Sequence, residues 1–412
     1  MTGSATARRN DRAWQAGLVL GAAAGLAVGW LARRAEQLSR EGVVDWDQAE
    51  RMAAGRFARA PGSLSPAELT ASEPDYGAIM DRIVPALEQR LGAPLPGVVE
   101  RHAVVSRAGW AQANLVTFKA LVARIEGPLL GAAPAPRGGV AGFASLANRF
   151  VTTRQIGLLL GFLGLRVLGQ YDVALLAAEE SPGRLLFVEE NIRQTAFQLG
   201  VPLDRMRTWI CLHESTHAFE FEAHPWLRPY LADRLERQLA AFLEDAQALQ
   251  AEGLGRFLRR FRRAEGGDLL SLFLSPDQRR LLRETQVVMS LLEGFGDWVM
   301  DDVGNQLLPD GGRIRERLEA RRSAARSGLD RIVSRLIGLD LKLEQYRRGE
   351  RFVAGVHAAG GEAALEHLWS GPEALPSEAE LLDPAGWVAR VLPDAGGPPA
   401  PGDSTTAPPP GD

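Results

Sequence analysis

Only one cysteine, Cys211, occurs in 412 residues, so no intrachain disulfide can form. Stability must come from packing, and a reducing compartment suits such a chain. A surplus of positive charge is also missing. The formal net charge is −4 and the pI about 6.0, which excludes a global basic field for nucleic acid. Long apolar runs are scarce. Ile156–Leu168 is interrupted by Arg166 and is too short to span a bilayer, so it reads as a buried helix of the main domain. Only residues 14–32, WQAGLVLGAAAGLAVGWLA, reach spanning length without a charge. Histidine is rare as well, with six in the chain. What remains, 46% hydrophobic and 24% charged residues, is ordinary globular composition, enough for one large domain or two smaller ones.

Two of the six histidines stand in Cys211-Leu212-His213-Glu214-Ser215-Thr216-His217, an H-E-x-x-H pattern. On a helix, His213 and His217 lie one turn apart on one face, a spacing that lets two imidazoles share a zinc ion. Glu214 lies beside them, placed to take a proton from an attacking water rather than to ligate. The surroundings support the helix. Pro202 and Asp204 suit its start, with Asp204 as a cap, and His224-Pro225 suits its end. Met206, Trp209, Ile210, Leu212, Phe219 and Phe221 make it apolar nearly all round, as in a helix buried inside a larger domain. The expected span is roughly 204–223, about five turns. Cys211 falls about 200° round the helix from His213 and reads as core.

A catalytic zinc needs a third protein ligand. His224 is the first candidate, but it follows His217 by seven residues where the extended pattern H-E-x-x-H-x-x-G-x-x-H requires six, and Glu220 fills the glycine slot. The better candidate is Leu291-Leu292-Glu293-Gly294-Phe295-Gly296-Asp297. Its E-x-x-x-D form places Glu293 as ligand, with Asp297 one turn on as the carboxylate that steadies a ligating histidine. Asp301 and Asp302 are weaker alternatives. Gly294 and Gly296 are poor helix formers, and their presence predicts two helices in close approach.

The rest of the chain organises round these two stretches. Residues 1–42 carry the candidate membrane anchor. Trp14 and Trp30 mark its ends, and Gly17, Gly21, Gly25 and Gly29 form a small-residue face for packing or oligomer contact. Flanking arginines (Arg8, Arg9 and Arg12 against Arg33, Arg34 and Arg40) do not decide orientation. The reducing-compartment reading favours a cytoplasmic main domain. Residues 43–392 form that domain and are mainly α. Ser65-Pro66 with Glu68 reads as a capping box opening a helix. Residues 131–142 read as a loop and residues 184–188 as the best strand candidate, able to pair with an extended substrate. Five arginines between Arg256 and Arg263 read as a solvated helix face. Residues 393–412 are a Pro/Gly-rich tail with nothing to bury.

Taken together, VDWDQAERMA at 44–53, VLGQYDVAL at 167–175, LFVEENI at 186–192, the H-E-x-x-H block at 209–231, MSLLEGFGDWVMDDVG at 289–304 and LDLKLEQYRRGERFVAGVHAAGG at 339–361 resemble the zinicin-like metallopeptidase type 2 family. Some members are labelled as associated with deazaflavin-cofactor biosynthesis. The resemblance implies a zincin-like helical metallohydrolase, its H-E-x-x-H helix packed on a second helix carrying E-x-x-x-D, with zinc as cofactor and no defined substrate. Members often carry histidine where this chain has Phe295, so a ligand from the second block must here be a carboxylate. The expected activity is zinc-dependent hydrolysis of a peptide or protein by a water that Glu214 activates. The rivals are a membrane-tethered protein with a structural or vestigial zinc site and a non-peptidase amide hydrolase. Tyr230, Arg228 and His224 are the nearby candidates for stabilising an oxyanion.

Overall fold

A computed structural model describes residues 42, 44–95, 97, 100–132, 139–172, 183–252, 276–309, 311–323 and 339–393. The anchor candidate at 14–32, the basic run Arg256–Arg263 and the tail from Asp394 lie outside the described residues. Among the described residues no helix is long and apolar enough to cross a membrane. In chain order the elements are α1 (Trp46–Phe57), α2 (Pro66–Leu91), β1 (His102–Val105), α3 (Arg107–Ala132), α4 (Gly139–Gly164), β2 (Gly169–Asp172), β3 (Arg184–Val188), α5 (Glu189–Leu199), α6 (Leu203–Glu222), α7 (Leu227–Glu252), α8 (Pro276–Leu307), α9 (Gly311–Ser323), α10 (Leu339–Leu368) and α11 (Pro384–Val391). The fold is mainly helical, as expected. The chain forms two compact units, neither continuous in sequence.

The first unit comprises the described residues up to Leu69 with Val105–Leu168 and Val188–Gln194. Helix α1 opens at Asp45, whose side chain accepts the Gln48 N–H at 2.9 Å while its own N–H donates to Thr153 Oγ1. Ala49, Ala53 and Phe57 form the buried stripe. Gly157 lets α4 lie against α1, because a Cβ there would meet the Ala49 carbonyl at 3.0 Å. The capping box at Ser65 is formed: the Ser65 N–H donates to Glu68 Oε2 at 2.8 Å and the Glu68 N–H to Ser65 Oγ at 3.3 Å. Arg107 is fully buried and its guanidinium is satisfied by Asn191, Gln194 and the Pro61 carbonyl. Two expectations need correction. Positions 131–132 and 139–142 are helical, continuing α3 and opening α4, where a loop was expected. The apolar run from Ile156 buries Leu160 and Phe162 but leaves Leu158 exposed, so it is one-sided rather than buried all round.

The second unit holds Thr70–Val104, Gly169–Phe187 and the described residues from Thr195 onward. Its sheet has the strand order β1-β3-β2. β2 and β3 are antiparallel, with Gly169 opposite Phe187 and Tyr171 opposite Leu185. The expected strand 184–188 is present, but it is central and apolar, and Leu185, Leu186 and Phe187 are buried. Both its edges are occupied, so it offers none to an extended substrate. Tyr76 of α2 stacks on Phe187 at 4.9 Å between ring centroids.

Helix α6 is buried on nearly every side, as its all-round apolar surface predicts. It begins one residue earlier than expected. Pro202 is the cap and makes no side-chain cap bond, so Asp204 sits in the first turn, where its charge suits the helix dipole, instead of capping. Helix α8 packs against α6, α7 and α10. The glycine expectation holds strongly at one position. A Cβ on Gly294 would lie 2.1 Å from the Gly349 carbonyl carbon and 2.4 Å from the Glu350 nitrogen, and one on Gly349 would lie 1.7 Å from the Ser290 oxygen. Backbone thus meets backbone where α8 crosses α10. Gly361, at φ 64° and ψ −157°, kinks α10 where a turn was expected.

Candidate metal centre

Helix α6 carries His213 and His217 one turn apart, and α8 brings Glu293 to them. One ligand atom from each of the three lies within 4.8 Å of the others, and all three side chains are half-buried. The two imidazole rings stand edge to face, with centroids 4.7 Å apart. Gly296 clears the space in front of them. A Cβ there would touch His217 Cε1 at 3.4 Å and His213 Cε1 at 3.9 Å, so any longer side chain would enter the ligand space. Two imidazoles and one carboxylate from two rigid helices fit a divalent metal ion of the zinc type rather than an all-oxygen ion such as magnesium.

Glu214 is buried beside the ligands. Its Oε2 accepts the backbone N–H of Tyr171 at 3.1 Å. β2 can lie this close because residue 169 is glycine, where a Cβ would meet Glu214 Cγ at 2.6 Å. Burial pushes the Glu214 carboxyl up to about 7; the charge of His217 opposes the rise, and Glu293 adds to it. A carboxyl titrating near neutral pH is suited to accept and return a proton. The C-terminal end of α6 is fastened to the same strand: the Tyr171 hydroxyl donates to Glu222 Oε1 at 2.5 Å, and Arg101 reaches the same oxygen at 3.0 Å.

One residue of the site was passed over in the sequence. Glu220, noted only as an intruder in a glycine slot, is fully buried, and its Oε2 lies 2.8 Å from His217 Nδ1. A carboxylate there accepts from Nδ1–H and leaves the Nε2 lone pair for an ion. The other oxygen, Oε1, is buried with no hydrogen-bond partner. Burial lowers the His217 pKa, but Glu220, Glu293 and Glu214 outweigh it and hold it up at about 10. Glu220 itself is pushed up to about 7 by burial, against the pull of His217. The available signal was the spacing, since residues three apart share a helix face.

Asp297, expected to steady a histidine, sits 3.4 Å from the Arg315 guanidinium, which also holds Asp301 at 2.9 Å and Glu350 at 2.6 Å. Asp301 is therefore part of this ion cluster, and Asp302 pairs with Arg90. Cys211 is fully buried, as expected of core. Among the oxyanion candidates, His224 turns Nδ1 to the Glu220 carbonyl at 2.7 Å and stacks on Trp369, while Tyr230 lies under the Arg234 guanidinium. Arg228 lies near the Tyr171 hydroxyl, whose pKa burial and Glu222 raise well above the ordinary value, with the Arg228 charge opposing the rise.

Comparison with known proteins agrees with this geometry. A family model for zincin-like metallopeptidases matches residues 44–388. A protein of Chloroflexus aurantiacus, whose crystal structure is presented as that of a candidate hydrolase with a novel fold, is similar at 35% identity and a TM-score of 0.61, over 84% of this chain and 98% of that one. No curated protein matches. The chain therefore belongs to the zincin-like metallopeptidase family, and the His213–His217–Glu293 cluster is consistent with the metal site of such a protein.

Proposed function

We propose that this protein is a zinc-dependent peptidase in which Glu214 is the general base. The convergence of His213, His217 and Glu293 beside a buried carboxyl raised to about 7 carries this reading. A zinc ion bound there supplies Lewis acidity, polarising a carbonyl and bringing the pKa of water toward about 7. The chain supplies the rest. His213, His217 and Glu293 hold the ion, and Glu220 fixes the ring of His217. Asp297, one turn beyond Glu293 and beside Arg315, steadies a ligating histidine. Glu214 takes the proton of the attacking water and returns it to the departing amine. Burial keeps its pKa close to that of the proton it must carry. Residues 14–32 tether the protein to a membrane, with the peptidase unit on the cytoplasmic side.

The test separates binding from chemistry. Purified protein is expected to carry about one zinc per chain, and His213→Ala to lose it. Glu214→Gln keeps size and removes basicity. It is expected to retain zinc and fold and to lose at least about 100-fold in hydrolysis of a casein or peptide-library substrate. A Glu214→Gln protein that cleaves like wild type would sink the assignment.

A further inference from the structure

The second unit contains a cavity of about 820 Å³ whose lining includes none of the three ligand residues. Phe219 and Phe295 stand in its wall, each two residues beyond a ligand. That offset is about 200° round a helix, so the cavity lies on the faces of α6 and α8 turned away from the metal cluster. Trp298 and Trp369 complete an aromatic wall, with the Phe295 ring edge-on to Trp369 at 5.1 Å.

The wall already shows what it can hold. The guanidinium of Arg90 lies 4.2 Å over the Trp298 ring, pairs with Asp302, and reaches Glu362 at 3.1 Å. This is cation–π contact combined with carboxylate pairing. The charges do not balance, however. Asp302, Glu362 and a third acid, Glu366, share the lining with this single guanidinium and with His357, whose Nε2 lies 3.3 Å from Glu362 Oε1. Glu366 is exposed and has no ion-pair partner among the described residues. The indole N–H of Trp369, in the same wall, is buried with no hydrogen-bond partner. Native proteins keep such donors rare.

We propose that this cavity binds a peptide segment through an arginine side chain, held between the aromatic wall and the surplus carboxylates. Arginine fits better than a compact ammonium, because its planar group stacks on rings and forks onto carboxylates, as Arg90 does here. An anionic ligand would meet the surplus acids unfavourably. The volume admits the side chain with its flanking backbone. The proposal stands apart from the chemistry at the metal cluster and holds whether or not that centre cleaves peptides.

The experiment is calorimetric titration of the full chain with acetyl-Ala-Ala-Arg-Ala-Ala-amide and with its citrulline counterpart, which keeps the shape and removes the charge. Using the Glu214→Gln chain prevents consumption of the peptide. The arginine peptide is expected to bind saturably and the citrulline peptide at least about tenfold more weakly. Glu366→Gln, an exposed change, should weaken the arginine peptide about threefold or more and leave zinc content unaltered. Trp298→Leu should weaken it as well, with folding checked by circular dichroism. Equal binding of the two peptides, no saturable binding, or undiminished affinity in Glu366→Gln would each overturn the proposal.

Discussion

Glu220→Gln is the sharpest test of the metal centre, because it changes charge at a fully buried contact without changing shape. In the native arrangement a carboxylate accepts from His217 Nδ1–H at 2.8 Å. A hydrogen bond to a charged group contributes about 1.5–3 kcal/mol and a neutral one about 0.5–1.5. The amide oxygen of glutamine can keep the contact, so the loss is the difference, about 1–1.5 kcal/mol, or roughly tenfold in affinity. The new NH₂ group would occupy the position of Oε1, which has no partner to offer it. It therefore gains nothing in return. Glu220→Ala removes the contact altogether and should cost between about 10-fold and 100-fold, the range for losing a carboxylate behind a metal-binding histidine. The assay is zinc competition against a chromophoric chelator, with circular dichroism confirming the fold. Wild-type zinc affinity in both variants would refute the idea that Glu220 holds His217 for the ion.

Three further outcomes are expected. Gly294→Ala forces backbone apart where α8 meets α10 and should destabilise the protein by about 1–3 kcal/mol or more, lowering zinc affinity through the neighbouring Glu293; a denaturant midpoint equal to wild type would contradict the close approach. Zinc affinity should rise with pH, because His217 is held up at about 10 in the metal-free protein and must lose its proton to ligate; from pH 7 to 9 the gain should approach about tenfold per unit, and a flat profile would refute it. The full chain should sediment with membranes while a chain starting at Val43 stays in solution and folds; full-length protein that remains wholly in the soluble fraction, uncleaved, would remove the anchor.

Much of the candidate metal centre was legible because its information is local. His213, Glu214 and His217 are fixed by helical spacing, and the helix itself by its apolar surface and flanking prolines. The E-x-x-x-D stretch identified Glu293 by the same periodicity, and Gly294 announced a helix crossing because little else justifies glycine inside a helix. The capping box at Ser65 was equally plain, since both partners lie within four residues. Other features depend on neighbours distant in the chain. β1 and β2 have four residues each, too few to show an alternating pattern, and they exist because β3 pairs with them on both sides. That same pairing decided that residues 184–188 are central and closed to a substrate. Glu220 was readable as a neighbour of His217, but burial by the surrounding elements is what turns its carboxylate onto Nδ1. Asp297 had the right spacing for a histidine partner, and packing against α9 also set Arg315 beside it. The 820 Å³ cavity brings together α2, α6, α8 and α10, whose contributing residues lie too far apart in sequence for any local pattern to connect. Spacing along one helix determined which groups can share a face, and packing between helices decided what each of those faces meets.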